Sequence, residues 1–171
     1  MFLSHRYENY LSHKDYNDYK SKLTNFRPHY NHVTDNSCFS VVNEGITEYS
    51  NISEHFKKLQ QYLDYYRTKM NECKSNKCCI YINYWLNDQV RNNHSSLNIS
   101  HFDFYTKYMA CYGPKNNNFC ESYIYLMQEE FKFMKELYDL YDAYDDYIPL
   151  KKIRILLTYK LKILLKNIIK L

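Results

Sequence analysis

The chain has 171 residues, enough for one domain with a buried core, and a formal net charge of +4. With 2 glycines and 3 prolines it has little capacity for tight hairpins, so an all-α fold is expected. Of the 23 basic residues seven follow the last acid, Asp146, so residues 1–150 keep 16 against all 19 acidic side chains, which excludes a folded body with a basic, nucleic-acid-binding surface.

The first ten residues carry no apolar h-region, and no window is long and apolar enough for a membrane span. The 21 tyrosines, many asparagines and few alanines point to an AT-rich coding sequence. Part of the tyrosine excess is therefore background, each ring being expected to pack and its hydroxyl to meet water.

In chain order, Leu3, Tyr7, Tyr10, Leu11, Tyr16, Tyr19 and Leu23 recur about once per turn and predict a helix over 3–23, ended by Arg27-Pro28. Residues 28–50 read as irregular around Cys38 and Gly45. Asn51-Ile-Ser-Glu54 is a helix start, and Phe56, Leu59, Leu63, Tyr66 and Met70 carry that helix to Cys73. After a break at 71–77, Cys79, Ile82, Leu86 and Val90 share one face of a helix ending near Arg91. Residues 92–98 are a polar loop. Ser100-His-Phe-Asp103 opens a short helix through Cys111, ended by Gly113-Pro114. Asn118-Phe-Cys-Glu121 then starts the longest helix, which keeps Cys120, Tyr123, Ile124, Met127, Phe131, Met134, Tyr138 and Tyr141 on one side and closes at Pro149. The tail, 149–171, is helical in propensity. Lys151, Lys162, Lys166 and Lys170 lie on one side of it, opposite Leu157, Leu161, Leu164, Ile168 and Leu171.

The chemistry-bearing residues favour a scaffold. Six cysteines suit disulfides, with 15 connectivities open. Cys111 and Cys120 flank the Gly113-Pro114 turn and are expected to pair. Cys38 is expected to join the region of Cys73, Cys78 and Cys79. The spacing Cys73-x4-Cys78-Cys79 lacks the paired pattern of common zinc sites, and His29-x2-His32 has no third ligand, so no metal or cofactor is expected. No spacing pairs a cysteine with one of the histidines as nucleophile and base. Asp139, Asp142, Asp145 and Asp146 read as a solvated helix face, without the alternating oxygens and glycine of a calcium loop. Asn51-Ile-Ser53, Asn93-His-Ser95 and Asn98-Ile-Ser100 match the glycosylation acceptor, a cheap match in an Asn-rich chain. The tail, through Lys151, Lys152, Arg154, Lys160, Lys162, Lys166 and Lys170, suits an anionic membrane surface or an acidic partner. Translation of AT-rich non-coding sequence yields such a tract equally well.

The run Cys79-Ile-Tyr-Ile-Asn-Tyr-Trp85-Leu-Asn, with a cysteine six positions before the only tryptophan, resembles the C-x-Y-L-N-Y-W-L segment of the Plasmodium interspersed repeat proteins, known as vir variant proteins in vivax-type parasites. Ser53-Glu-His-Phe-Lys-Lys-Leu-Gln-Gln-Tyr-Leu63 resembles the preceding helix of that family. Cys120-Glu-Ser-Tyr-Ile and Lys135-Glu-Leu-Tyr-Asp-Leu-Tyr-Asp-Ala-Tyr-Asp145 resemble the long helix that follows. The likeness covers about residues 30–148, in order. It implies an all-α, disulfide-containing ectodomain without known enzyme activity, exported into or onto the infected red cell. Typical members continue into a low-complexity stretch, a transmembrane helix and a cytoplasmic tail. This chain departs after Ile148, as a truncated or atypical member would.

The expectation is therefore a disulfide-containing helical bundle over 1–148 with irregular loops, and a basic amphipathic tail over 149–171. Leu59, Leu63, Ile82, Trp85, Leu86, Met127 and Phe131 are the expected core, with the Trp85 helix packed on the 54–72 and 119–147 helices. Trp85→Ala would then cost about 3–5 kcal/mol. Sequence diversity is expected on loops 28–50 and 92–99. The leading function is a host-facing variant antigen with an unknown host receptor and no nucleic-acid partner. The alternative is an intracellular interaction protein with reduced thiols and a membrane-seeking tail. A cysteine hydrolase is a third class, and needs one reactive thiol.

Overall fold

The structure is a computed structural model that describes residues 10–26, 38, 50–91 and 98–169. The expected start of the first helix at residues 3–9, loop 28–50 apart from Cys38 and Ser50, His29, His32 and most of loop 92–99 lie outside these residues. Among the described residues the chain is helical, with five α-helices and no strand. It divides into two compact units, residues 1–131 and 132–171.

In the first unit α1 spans His13–Asn25, and the Ser12 hydroxyl caps it by accepting from the Asp15 N–H. Tyr16, Tyr19 and Leu23, spaced 3 and 4 apart, turn to the core. Helix α2 spans Ser50–Thr68 and buries Phe56, Leu59, Tyr62, Leu63 and Tyr66. It stops short of the expected Cys73. Two 3-10 turns, Met70–Glu72 and Lys74–Asn76, replace its end, with Ser75 and Asn76 in left-handed conformation, and Met70 is left exposed. Helix α3 spans Lys77–Arg91. Helix α4 spans Phe102–Tyr112, after a 3-10 turn at Ile99–His101. The capping box there is formed by Asn98 and His101, two residues upstream of the expected Ser100 and Asp103.

Aromatic side chains hold these helices together. The Tyr16 and Tyr81 rings join α1 to α3 edge to face at 5.9 Å, and Tyr19 meets Tyr66 of α2 at 5.5 Å. Phe56 stacks on Tyr108 of α4 at 4.7 Å. Such pairs add about 0.5–1.5 kcal/mol each beyond the area they bury. Several tyrosine hydroxyls bond to protein where water was expected: Tyr62 donates to the Cys78 carbonyl, Tyr19 to the Glu72 carbonyl, and Tyr105 meets His55. These contacts satisfy the polar end of a ring whose body is desolvated. Lys77 pairs with Asp15 at 2.6 Å, tying the start of α3 to the first turn of α1.

The expected helix start at Asn118 is absent. Asn117, Asn118 and Cys120 adopt φ of 52°, 54° and 62°, a left-handed run that ends helical propagation and that asparagine tolerates better than most residues. A Cβ at Gly113 would lie 2.6 Å from Glu121 Oε2, the far end of a flexible side chain that could move aside. After a 3-10 turn at Glu121–Tyr123 the chain runs without helix through Gln128. Helix α5 begins at Glu129 and continues through Pro149 to Ile169. Pro149 removes one N–H from the ladder and closes nothing. Helix formers on both sides, Leu and Lys after it and Leu, Lys, Glu and Met earlier in α5, carry the remaining bonds past it.

Residues 132–169, all in α5, make up the described part of the second unit. Lys135 pairs with Asp139 one turn away at 2.9 Å. No helix among the described residues is long and apolar enough to cross a membrane.

Candidate functional site

The family-like segment lies on α3, and its fourth-residue spacing explains it. Cys79, Asn83, Asn87 and Arg91 stand one helical turn apart, and each reaches the segment between Cys120 and Met127. Cys79 is disulfide-bonded to Cys120. The Asn83 side-chain carbonyl accepts from the Tyr125 N–H at 3.1 Å. The Asn87 amide donates to the Tyr125 carbonyl at 3.0 Å, and its oxygen accepts from the Met127 N–H at 2.9 Å. Arg91 donates to the Met127 carbonyl and to Asn87 Oδ1. Its guanidinium also lies 4.5 Å from the centroid of the Phe131 ring, which stacks on Tyr84.

This arrangement accounts for the non-helical course of 124–128. A backbone that leaves a helix must find other partners for its N–H and C=O groups. Here the side chains of a neighbouring helix serve as a substitute strand edge. Asn83 and Asn87 are 1% and 0% exposed, and the Asn87–Met127 bond is buried, where leaving a partner unmade costs about 1–3 kcal/mol, while the two bonds to Tyr125 are part-buried. Burial also holds the Arg91 guanidinium below its ordinary pKa.

The disulfides differ from both expected pairings. Cys38 bonds to Cys111, Cys73 to Cys78, and Cys79 to Cys120. Cys111 and Cys120 do not pair across their turn because the left-handed Cys120 faces α3 while Cys111, on α4, meets Cys38. The Cys73–Cys78 bond spans the Lys74–Asn76 turn between α2 and α3. Cys38 therefore joins none of the three cysteines in the 73–79 region. The sulfurs of Cys73, Cys78 and Cys79 lie within 4.8 Å of one another, but all belong to disulfides and none is a thiolate able to bind a metal. None of the six cysteines is a free thiol, which removes the nucleophile a cysteine hydrolase needs.

Of the expected core, Leu59, Leu63, Ile82 and Leu86 are 0% exposed, and Met127 and Phe131 are buried. Trp85 is a correction: it is half-buried at the flank of α3. Phase alone is not the reason, since Cys78 and Tyr81 on the same stripe are buried; the stripe emerges along the second half of α3, where Asp88 and Gln89 are also half-buried. The Trp85 ring meets His55 edge-on at 5.5 Å. His55 Nδ1 lies 2.9 Å from the Tyr105 hydroxyl. Burial first, and Lys58 second, push the His55 pKa down to about 4.

The row Asn83–Asn87–Arg91 was missed in the sequence, although a signal was present. Two asparagines and an arginine at i, i+4 and i+8 of an otherwise apolar helix mark buried polar positions that need a partner. Of the glycosylation-like triplets, only Asn98-Ile-Ser100 is fully described, and there Asn98 Oδ1 accepts from the Ser100 N–H at 3.0 Å.

A family model described as Plasmodium vivax Vir protein matches residues 10–153. No curated protein and no solved structure matches the chain. The match extends the likeness at both ends, to take in α1 and the Pro149 turn of α5, and it includes the Cys79–Arg91 row with the segment that the row holds. The chain belongs to the Plasmodium vivax Vir protein family.

Proposed function

We propose that this protein is a variant antigen, exported by the parasite into or onto the infected red cell, whose work is host interaction and immune variation rather than catalysis. The observation that carries this reading is the pairing of all six cysteines in a chain of the Vir family. Three disulfides suit a domain that matures and works in an oxidising environment. They also suit antigenic variation, because cross-links and the buried asparagine row hold the scaffold while exposed residues change. A thiol count on protein from infected cells, under denaturing conditions, tests the reading together with antibody labelling of intact and permeabilised cells. Zero free thiols and labelling outside the parasite are expected. Six free thiols with label confined to the parasite would overturn it.

A second reading, an intracellular interaction protein, draws on the exposed basic residues Lys151, Lys152, Arg154 and Lys160 of α5. It requires reduced cysteines, so the same thiol count separates the two.

A further inference from the structure

We infer that the C-terminal part of α5, from Leu150 onward, is a docking helix for an anionic lipid surface. Leu150, Ile153, Ile155, Leu156 and Tyr159 are 63%, 54%, 60%, 57% and 65% exposed, a concentration of apolar area that soluble surfaces seldom leave bare. Between them stand the exposed cations Lys151, Lys152, Arg154 and Lys160, and no acid follows Asp146. In the helical register Leu150 and Ile153 begin a row that continues through positions 157, 161, 164 and 168, in steps of three and four. Lys151, Lys162 and Lys166 fall on the other side of that register. Ile155 and Tyr159 stand on the lysine side of that register, Leu156 lies between the two sides, and Arg154 borders the apolar row.

Charge selects the occupant. A bilayer rich in phosphatidylserine offers negative headgroups and an apolar boundary along the whole length of such a helix, and long lysine stems reach back to the headgroups. The stretch from Lys151 to Lys166 is about 22 Å long at ~1.5 Å per residue, a line of contact better matched to a plane than to a compact pocket. The exposed tyrosines Tyr147 and Tyr159 have the amphipathic rings that favour the headgroup level. A parallel second copy would set lysine against lysine. An antiparallel copy, with Glu136–Asp146 facing the basic tract, is the competing occupant. The inference concerns this surface alone and stands or falls apart from export of the protein.

The test uses the full-length, disulfide-intact chain and unilamellar vesicles of phosphatidylcholine, alone or with about 30% phosphatidylserine. Co-sedimentation should show at least about tenfold tighter binding to the anionic vesicles, weakening as salt rises. The triple variant Lys151→Gln, Lys152→Gln, Arg154→Gln should lose most of that preference. Leu150→Ser with Ile153→Ser should weaken binding about fivefold or more while the salt dependence persists. Both sets of positions are exposed, and circular dichroism and intact mass verify helix content and three disulfides in each variant. Equal binding to both vesicle types, or none, overturns the inference without any variant. A concentration-dependent doubling of mass by light scattering, lost in the same variants while vesicle binding is absent, assigns the face to a second copy and overturns it equally.

Discussion

Residues 10–131 and residues 132–169 use similar amino acids in opposite ways. In the first unit tyrosine, leucine and asparagine are turned inward, three disulfides close the chain on itself, and a helix binds the backbone of a non-helical segment through its side chains. In the second, Met134 and Tyr138 are buried near the start, and the helix then leaves Leu140, Tyr144, Tyr147, Leu150 and Ile153 more than half exposed. Apolar composition alone therefore does not make a core. A core also needs facing elements, and in this chain the cross-links and buried amides supply much of what brings them face to face.

The sharpest way to break this contrast is to open the Cys79–Cys120 disulfide. It closes a separation of 41 residues, so Cys79→Ser with Cys120→Ser should cost about 4 kcal/mol of loop entropy. Urea denaturation reads the loss, and a midpoint within error of the wild type would show that the asparagine row alone holds 120–127. Next in size is a paired truncation on α3. Leu86→Ala should cost about 3 kcal/mol and Trp85→Ala less than about 2, because only the former empties a fully buried position. Melting temperatures in the reverse order would return the tryptophan to the core.

Asn87→Ala should cost about 2 kcal/mol by leaving the Tyr125 carbonyl and Met127 N–H unpaired. Hydrogen exchange at the Met127 amide should accelerate in that variant before exchange in α1 does. Acid should act through His55. The fold keeps this ring neutral down to about pH 4, whereas in the unfolded chain it protonates near its ordinary value of 6.5. Its contribution to stability is thus full above pH 6.5 and is lost as pH falls toward 4, by about 2 kcal/mol after allowance for partial exposure. Stability measured against pH in His55→Phe should lack that part of the slope. The smallest effect belongs to the other unit. Ile153→Ser should change the unfolding free energy by no more than about 0.5 kcal/mol, since its side chain is 54% exposed.

Helical periodicity was legible wherever an apolar row met a packed face. Phe56, Leu59 and Leu63 on α2, Ile82, Leu86 and Val90 on α3, and Tyr16, Tyr19 and Leu23 on α1 all keep that spacing and all are buried. It misled over 118–128, where Cys120, Ile124 and Met127 recur at three and four residues without a helix beneath them. Periodicity reports which residues are buried. It does not report whether the backbone between them bonds to itself or to a neighbour. Pro149 misled in the other direction, because a missing N–H is a local cost that long flanking helices can carry.

The sequence by itself determined the helical class, through scarce glycine and proline and the 3.6-residue rows, and the family, through the Cys79–Trp85 run. Both are local properties of the chain, read from residues near one another. Tertiary structure alone decided which cysteines pair, that Trp85 stands at an edge, and that Asn83, Asn87 and Arg91 hold a segment some 40 residues away. These depend on which distant groups meet, and 15 pairings of six cysteines are equally open until the fold brings three of them into reach.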